Sequence, residues 1–266
     1  MPGKPFIDAD DYRVEKEKMV LYLSLGIFAF IFYILLKLSP IIVLIIVGIS
    51  AALVKIKQSQ LMGQGVKISE KQLPKVYDAV KLAAERLCMK EPNVFVVQEP
   101  KINAFALGFT GRKSVILNSG TVEAMDTDEL TYIIGHEFSH IKCGHTYWLV
   151  VTNSAESIKV PIISDIIGLI FKAWSRKTEY SCDRGGLIAS GSLKASMYAC
   201  GKVTVGKELF KDLDLGSLIE QIVELDNEKI WAKLGQVLST HPFMVNRIKE
   251  LSNFYKSEEY KRITTE

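Results

Sequence analysis

From Met19 to Val54 the chain is almost wholly apolar, interrupted by Lys37, scattered serines and the "KLSP" stretch that ends at Pro40. Residues 19–36 supply 18 positions and residues 38–54 supply 17. At the helical rise each run covers roughly 25 Å, slightly short of the hydrocarbon thickness of a bilayer but enough to cross it. The pattern predicts a transmembrane helical hairpin. The segment before it, "MPGKPFIDADDYRVEKEK", is long and mixed in charge, and the apolar block far exceeds a signal-peptide core, so the hairpin is read as uncleaved. Beyond Lys55 the pattern changes to the amphipathic spacing of a globular domain, first in "SEKQLPKVYDAVKLAAERLCMK" from Ser69 to Lys90.

Three short β-rich runs follow at 93–99, 103–109 and 114–119, separated by turn residues, and predict a small antiparallel sheet. The remainder reads as helix. Residues 160–174, "VPIISDIIGLIFKAW", are apolar but contain Asp165 and Lys172, which suits either a core helix running into the segment after it or a surface that dips into the bilayer. The expected organisation is a polar segment at 1–18, a membrane hairpin at 19–55 and a domain at 56–266. The expected class is α+β and mostly helical.

Chemistry concentrates in "IIGHEFSHIKCGH", residues 133–145, which holds three of the four histidines. Asp126 or Thr127 can cap a helix that carries this stretch, and His136 and His140 then stand one turn apart on one face. Two imidazoles so placed can reach one zinc ion, with Glu137 free to contact a water instead of the metal. A longer histidine motif is excluded because position 146 is Thr146. His145 falls five residues past His140, which on a continuing helix points it away from the metal face, and "CG" just before it marks a helix end, so a role behind a ligand or at the helix terminus is expected for it in place of ligation. Glu179 in "WSRKTEYSCDRGG" is the expected third ligand, and Asp183, four residues on, can hydrogen-bond a ligating histidine and fix its tautomer.

Charge and cysteine content narrow the alternatives. A net charge of +3 from 33 basic and 30 acidic residues carries no basic stripe for nucleic acid, so no nucleic-acid partner is expected. The four cysteines, Cys88, Cys143, Cys182 and Cys200, form no CxxC pair and read as free thiols of a reducing compartment.

In motif order the chain resembles the membrane-anchored zinc metallopeptidases that include the HtpX heat-shock protease and the Ste-type CAAX prenyl proteases. The resemblance rests on HEFSH with trailing His145, on "EYSCD", on "STHPF" followed by Arg247, and on "NAFALG" at 103–108. It implies a gluzincin-type domain with one Zn2+ per chain held by His136, His140 and Glu179. It implies that Glu137 acts as general base, that His241 steadies the oxyanion, and that Asp183 and Arg247 support the ligands. Asn103, Ala104, Phe105 and Ala106 would lie in an edge strand that pairs with an extended polypeptide substrate. One departure stands out: HtpX-like members carry two further spans between the zinc helix and the third ligand, whereas 38 residues separate His140 from Glu179 here.

The expected function is endopeptide hydrolysis by a metal-activated water, with a catalytically idle membrane adaptor or chaperone and a zinc hydrolase of non-peptide substrates as alternatives. Lys4, Arg13, Lys16 and Lys18 precede the hairpin, Lys55, Lys57, Lys67 and Lys71 follow it, and its loop has only Lys37. The positive-inside rule therefore puts both termini and the domain on the cytoplasmic side, with membrane or misfolded proteins as substrates and the lipid bilayer as partner. The oligomeric state is left open.

Overall fold

The computed structural model describes residues 7–108, 113–148, 163–214, 216–217 and 242–265. The described part is mostly helical, with one small mixed sheet. Two helices open it, α1 (Glu17–Leu38) and α2 (Pro40–Gln64), joined at Ser39 with Pro40 as the first residue of the second. Pro is favoured there because its missing N–H has no helical partner to lose. Both helices are long and apolar enough to cross a membrane. Met19, Tyr22, Leu23, Phe30, Ile41 and Leu44 are among their exposed side chains. An apolar surface that continuous and that bare marks contact with lipid or a partner.

The globular part follows with α3 (Pro74–Arg86), β2 (Asn93–Val97), β3 (Ala104–Leu107), β4 (Ser114–Asn118), α4 (Ser119–Ala124) and α5 (Thr127–Lys142), after a two-residue β1 (Val66–Lys67). Then come α6 (Ile163–Ser190), α7 (Leu193–Val205), α8 (Lys207–Phe210), α9 (Met244–Lys256) and α10 (Glu258–Thr265).

The sheet differs from the all-antiparallel expectation. Its order is β1, β2, β4, β3, and β2 runs parallel to β4 while β3 and β4 form an antiparallel pair. The loop after β2 crosses the start of α4, where Gly120 N donates to Glu99 O at 3.0 Å and any Cβ on Gly120 would stand 2.1 Å from Pro100 O. That crossing carries β3 to the far edge and leaves β4 in the centre, beside β2. Alternating side chains specify which face of a strand is buried, but not the direction of its neighbour.

Helix α5 is the axis of the domain. It is buried from Glu129 to Ile141 by α3, α6, α7 and the sheet, the environment in which a helix can be apolar on all sides. A capping box starts it: Asp126 Oδ1 accepts from Glu129 N at 2.9 Å and Glu129 Oε2 accepts from Asp126 N at 2.8 Å. Its crossing with α6 is close because glycines line it. A Cβ on Gly135 would stand 2.3 Å from Ala189 Cβ, and one on Gly185 would stand 1.8 Å from Ser139 Oγ. This approach brings the histidines of α5 against the carboxylates of α6.

The segment ahead of α1 is part of the same packing. Ile7 and Tyr12 belong to the main hydrophobic core, and Lys142 Nζ donates to the carbonyls of Ile7 and Leu87. Farther along α1, Ser24 Oγ donates to Ile170 O at 3.0 Å and the Phe28 ring meets Phe171 edge-on. The first half of α6 therefore lies along the first half of α1.

Candidate metal centre

The centre is built where the buried faces of α5 and α6 meet. His136 and His140 project from α5 with ring centroids 5.1 Å apart, and Glu179 faces them from α6. His136 Nε2 lies 3.6 Å from Glu179 Oε2 and His140 Nε2 lies 3.5 Å from Glu179 Oε1. The three donor atoms are mutually within 4.8 Å, and all three residues are buried. Ligand atoms of a tetrahedral zinc at ~2.0–2.1 Å stand roughly 3.4 Å from one another. Two imidazole nitrogens and a carboxylate at these separations fit that ion. Glu137, also buried, is the next residue of α5 after His136.

Behind His136 stands a polar cluster that sets its orientation. Its Nδ1 lies 3.0 Å from Asp183 Oδ1. Asp183 also accepts from Tyr132 Oη at 2.7 Å and from Arg247 through two bonds, Nε to Oδ2 at 2.8 Å and Nη2 to Oδ1 at 2.6 Å. Burial by itself would raise the Asp183 carboxyl, but the Arg247 guanidinium overrides it and holds the group down at about 2. Asp183 is thereby an ionised acceptor, which fixes the His136 proton on Nδ1 and leaves Nε2 free to ligate. Arg247 Nη1 is also 3.8 Å from Glu179 Oε2, so one guanidinium, brought in by α9, serves both carboxylates.

Behind His140 the chain turns. Helix α5 ends at Lys142 with Cys143 as its cap, Gly144 adopts φ +78°, and the next helical stretch begins at His145. The reversal aims the His145 ring back at the site, with Nδ1 3.3 Å from His140 Nδ1 and Nε2 2.9 Å from Glu17 Oε1. Burial pushes the His145 imidazole down to about 4 against the pull of Glu17. Cys182 Sγ is 3.5 Å from His145 Nδ1, and burial raises its thiol well above the usual range.

Of the residues singled out in the sequence, His136, Glu137, His140, Glu179, Asp183 and Arg247 come together here. Asn103 and β3 lie at the sheet edge packed on α5, and among the described residues β3 pairs only with β4. Asn103 itself is committed inward: its N–H donates to Thr121 Oγ1 at 2.8 Å and its carbonyl accepts from Thr121 Oγ1 at 2.7 Å. His241 lies outside the described residues. Sequence reasoning missed Tyr132 and Glu17. Tyr132 precedes His136 by one turn on the same face, which is a usable signal.

A histidine pair on a buried helix, a carboxylate from a second helix and a glutamate beside the first histidine define the class of metal-dependent hydrolases with an HExxH helix. The description "Peptidase family M48" matches residues 70–254, and the chain belongs to that family. Among its relatives, the "Plastoglobule-localized metallopeptidase 48, chloroplastic" of Arabidopsis thaliana is 28% identical over 218 residues, 76% of this chain and 63% of the plant protein. A "Protease HtpX homolog" of Streptococcus pyogenes serotype M5 (strain Manfredo) is 23% identical over 233 residues, 72% of this chain and 77% of the relative. The chain thus spans less than two-thirds of the plant relative.

Proposed function

We propose that this chain is a membrane-anchored zinc endopeptidase that hydrolyses peptide bonds of membrane or misfolded proteins at the cytoplasmic face. The observation that carries this reading is the convergence of His136 Nε2, His140 Nε2 and the Glu179 carboxylate beside Glu137. His136, His140 and Glu179 would hold one zinc ion per chain, which when bound would supply the charge that acidifies an attacking water towards a pKa of ~7 and polarises the scissile carbonyl. Glu137 takes the proton of that water and passes it to the departing amine, so that the peptide C–N bond is replaced by a carboxylate and a free amine. Asp183, Tyr132 and Arg247 hold His136 and Glu179 in place during the reaction. Alternate residues of the β3 edge offer backbone N–H and C=O groups to an extended substrate strand, which favours polypeptide over small-molecule substrates. Digestion of casein or a peptide library, with and without a chelator, tests the reading. Chelator-sensitive cleavage supports it, and zinc binding with no cleavage of any peptide would favour the idle adaptor.

His241 takes the oxyanion role that the resemblance to the HtpX and CAAX prenyl proteases implies for the histidine of "STHPF". Its hydrogen bond strengthens only as the carbonyl oxygen gains charge. His241→Ala should keep zinc and lose about 10²- to 10³-fold in kcat with KM little changed. Loss of zinc in that variant would make the residue a ligand instead.

Helices α1 and α2 would form the anchor, and the lysines and arginines flanking them favour a cytoplasmic position for both ends of the chain. Cysteine-accessibility mapping on intact cells should label position 37 from outside and leave positions 5 and 260 shielded. Labelling at 260 would put the peptidase domain on the opposite side.

A further inference from the structure

The two imidazoles of the metal site are held differently. His136 reaches a carboxylate directly, through Nδ1 and Asp183. His140 Nδ1 instead meets Nδ1 of His145 at 3.3 Å. Two nitrogens at that distance share one proton, and the groups around them decide who carries it. His140 turns Nε2 towards Glu179 and the cation centre, so its lone pair is on that side and its proton is on Nδ1. It donates to His145, which accepts at Nδ1 and therefore carries its own proton on Nε2. That proton goes to Glu17 Oε1, 2.9 Å away.

Glu17 is suited to end such a chain. It is 1% exposed, although it is the first residue of a helix that is otherwise largely bare. Ser181 donates to its Oε2 and Arg13 Nη1 to its Oε1. Arg13 Nη1 also lies 3.4 Å from His145 Nε2, because both donors converge on one carboxylate oxygen, which has lone pairs for both. Ser181 is in turn held by Val14 N at 2.9 Å, and Arg13 Nη2 donates to Cys143 O at 3.1 Å. The carboxylate is fixed from α6, from the turn after α5 and from its own chain.

We propose that Glu17, at the head of the first membrane helix, is a positioning residue of the metal site that fixes the tautomer and orientation of His140 through His145. The proposal rests on the zinc reading of His136, His140 and Glu179. It makes the anchor part of the catalytic site: a shift of α1 relative to α6 would withdraw the acceptor that orients one ligand. It also gives the contact between His140 and His145, which with Cys182 place donor atoms within 4.8 Å of one another, a role as a hydrogen-bond relay. The two Nδ1 atoms are engaged with each other.

The test is zinc affinity, measured on the full chain in detergent by competition with a chromophoric chelator, beside thermal unfolding of each variant without metal. Outer partners of ligating histidines typically contribute 10- to 100-fold to metal affinity. Glu17→Leu should weaken zinc by about that factor. Glu17→Gln, which keeps the shape and a neutral acceptor, should weaken it less. His145→Leu should match Glu17→Leu, and combining the two should cause no further loss, since both cut one chain. A purely structural Glu17 would lower the unfolding temperature and leave affinity unchanged in both Glu17 variants, which overturns the proposal. Glu17→Gln decides the matter alone if Glu17→Leu does not fold. Additive losses in the double variant, or a second zinc equivalent lost in Cys182→Ser, also overturn it. Failure of the underlying reading looks different: wild type would then bind no zinc, and His136→Ala would change nothing.

Discussion

Glu137→Gln should retain about one zinc per chain yet cleave peptides about 10²- to 10⁴-fold more slowly, the range that a positioned general base contributes. Glu137 is not among the three donors that converge on the centre, so the amide leaves the ligand set intact. Gln is nearly isosteric with Glu, so a buried site loses a proton acceptor without gaining a cavity. The loss should fall on kcat, because the proton transfer exists only on the way to the transition state. Metal analysis and steady-state kinetics on the same preparation check both halves. Wild-type turnover with zinc present would remove Glu137 from the mechanism, and loss of zinc would make it a ligand.

The sequence made the local parts of this site legible and concealed the distant ones. His136 and His140 are one turn apart on α5, as Glu179 and Asp183 are on α6, so helical periodicity alone puts each pair on one face. The cap at Asp126 was legible for the same local reason. The two apolar helices followed from composition, which needs no tertiary information. The direction of β4 relative to β2 did not, because it depends on a loop crossing at Gly120 that no strand pattern records. For His145 the five-residue spacing argued against ligation and "CG" marked a helix end, but neither says which way the turn aims the ring. The positive φ of Gly144 turns it back. Glu17 was harder still. It lies 128 residues from its partner, and an acid at the head of an apolar helix reads as an ordinary charge at a membrane border. Only the burial of that one carboxylate reveals its attachment to the site.

The largest loss is expected at Glu179. Glu179→Ala should leave the protein without stoichiometric zinc and without measurable peptide cleavage, since a site with two imidazoles and no carboxylate lacks one of the three protein ligands of a catalytic zinc. The effect goes beyond a missing ligand. Arg247 Nη1 lies 3.8 Å from the Glu179 carboxylate and is bonded to Asp183 through its other nitrogens, so removing Glu179 also unbalances the cluster behind His136. A largely covered guanidinium deprived of one of two carboxylates loses part of what offsets its desolvation. The variant should therefore unfold at a lower temperature than His136→Ala does, even when both are compared free of metal. Asp183→Asn separates the two effects. It keeps all three ligands but replaces the ionised acceptor of the His136 Nδ1 proton with a neutral amide, so it should hold zinc about 10- to 100-fold more weakly while excess zinc restores cleavage. Excess zinc should not restore Glu179→Ala. If both variants recover alike, Glu179 acts from behind the ligands, as Asp183 does, and the third protein ligand has to be sought elsewhere in the chain.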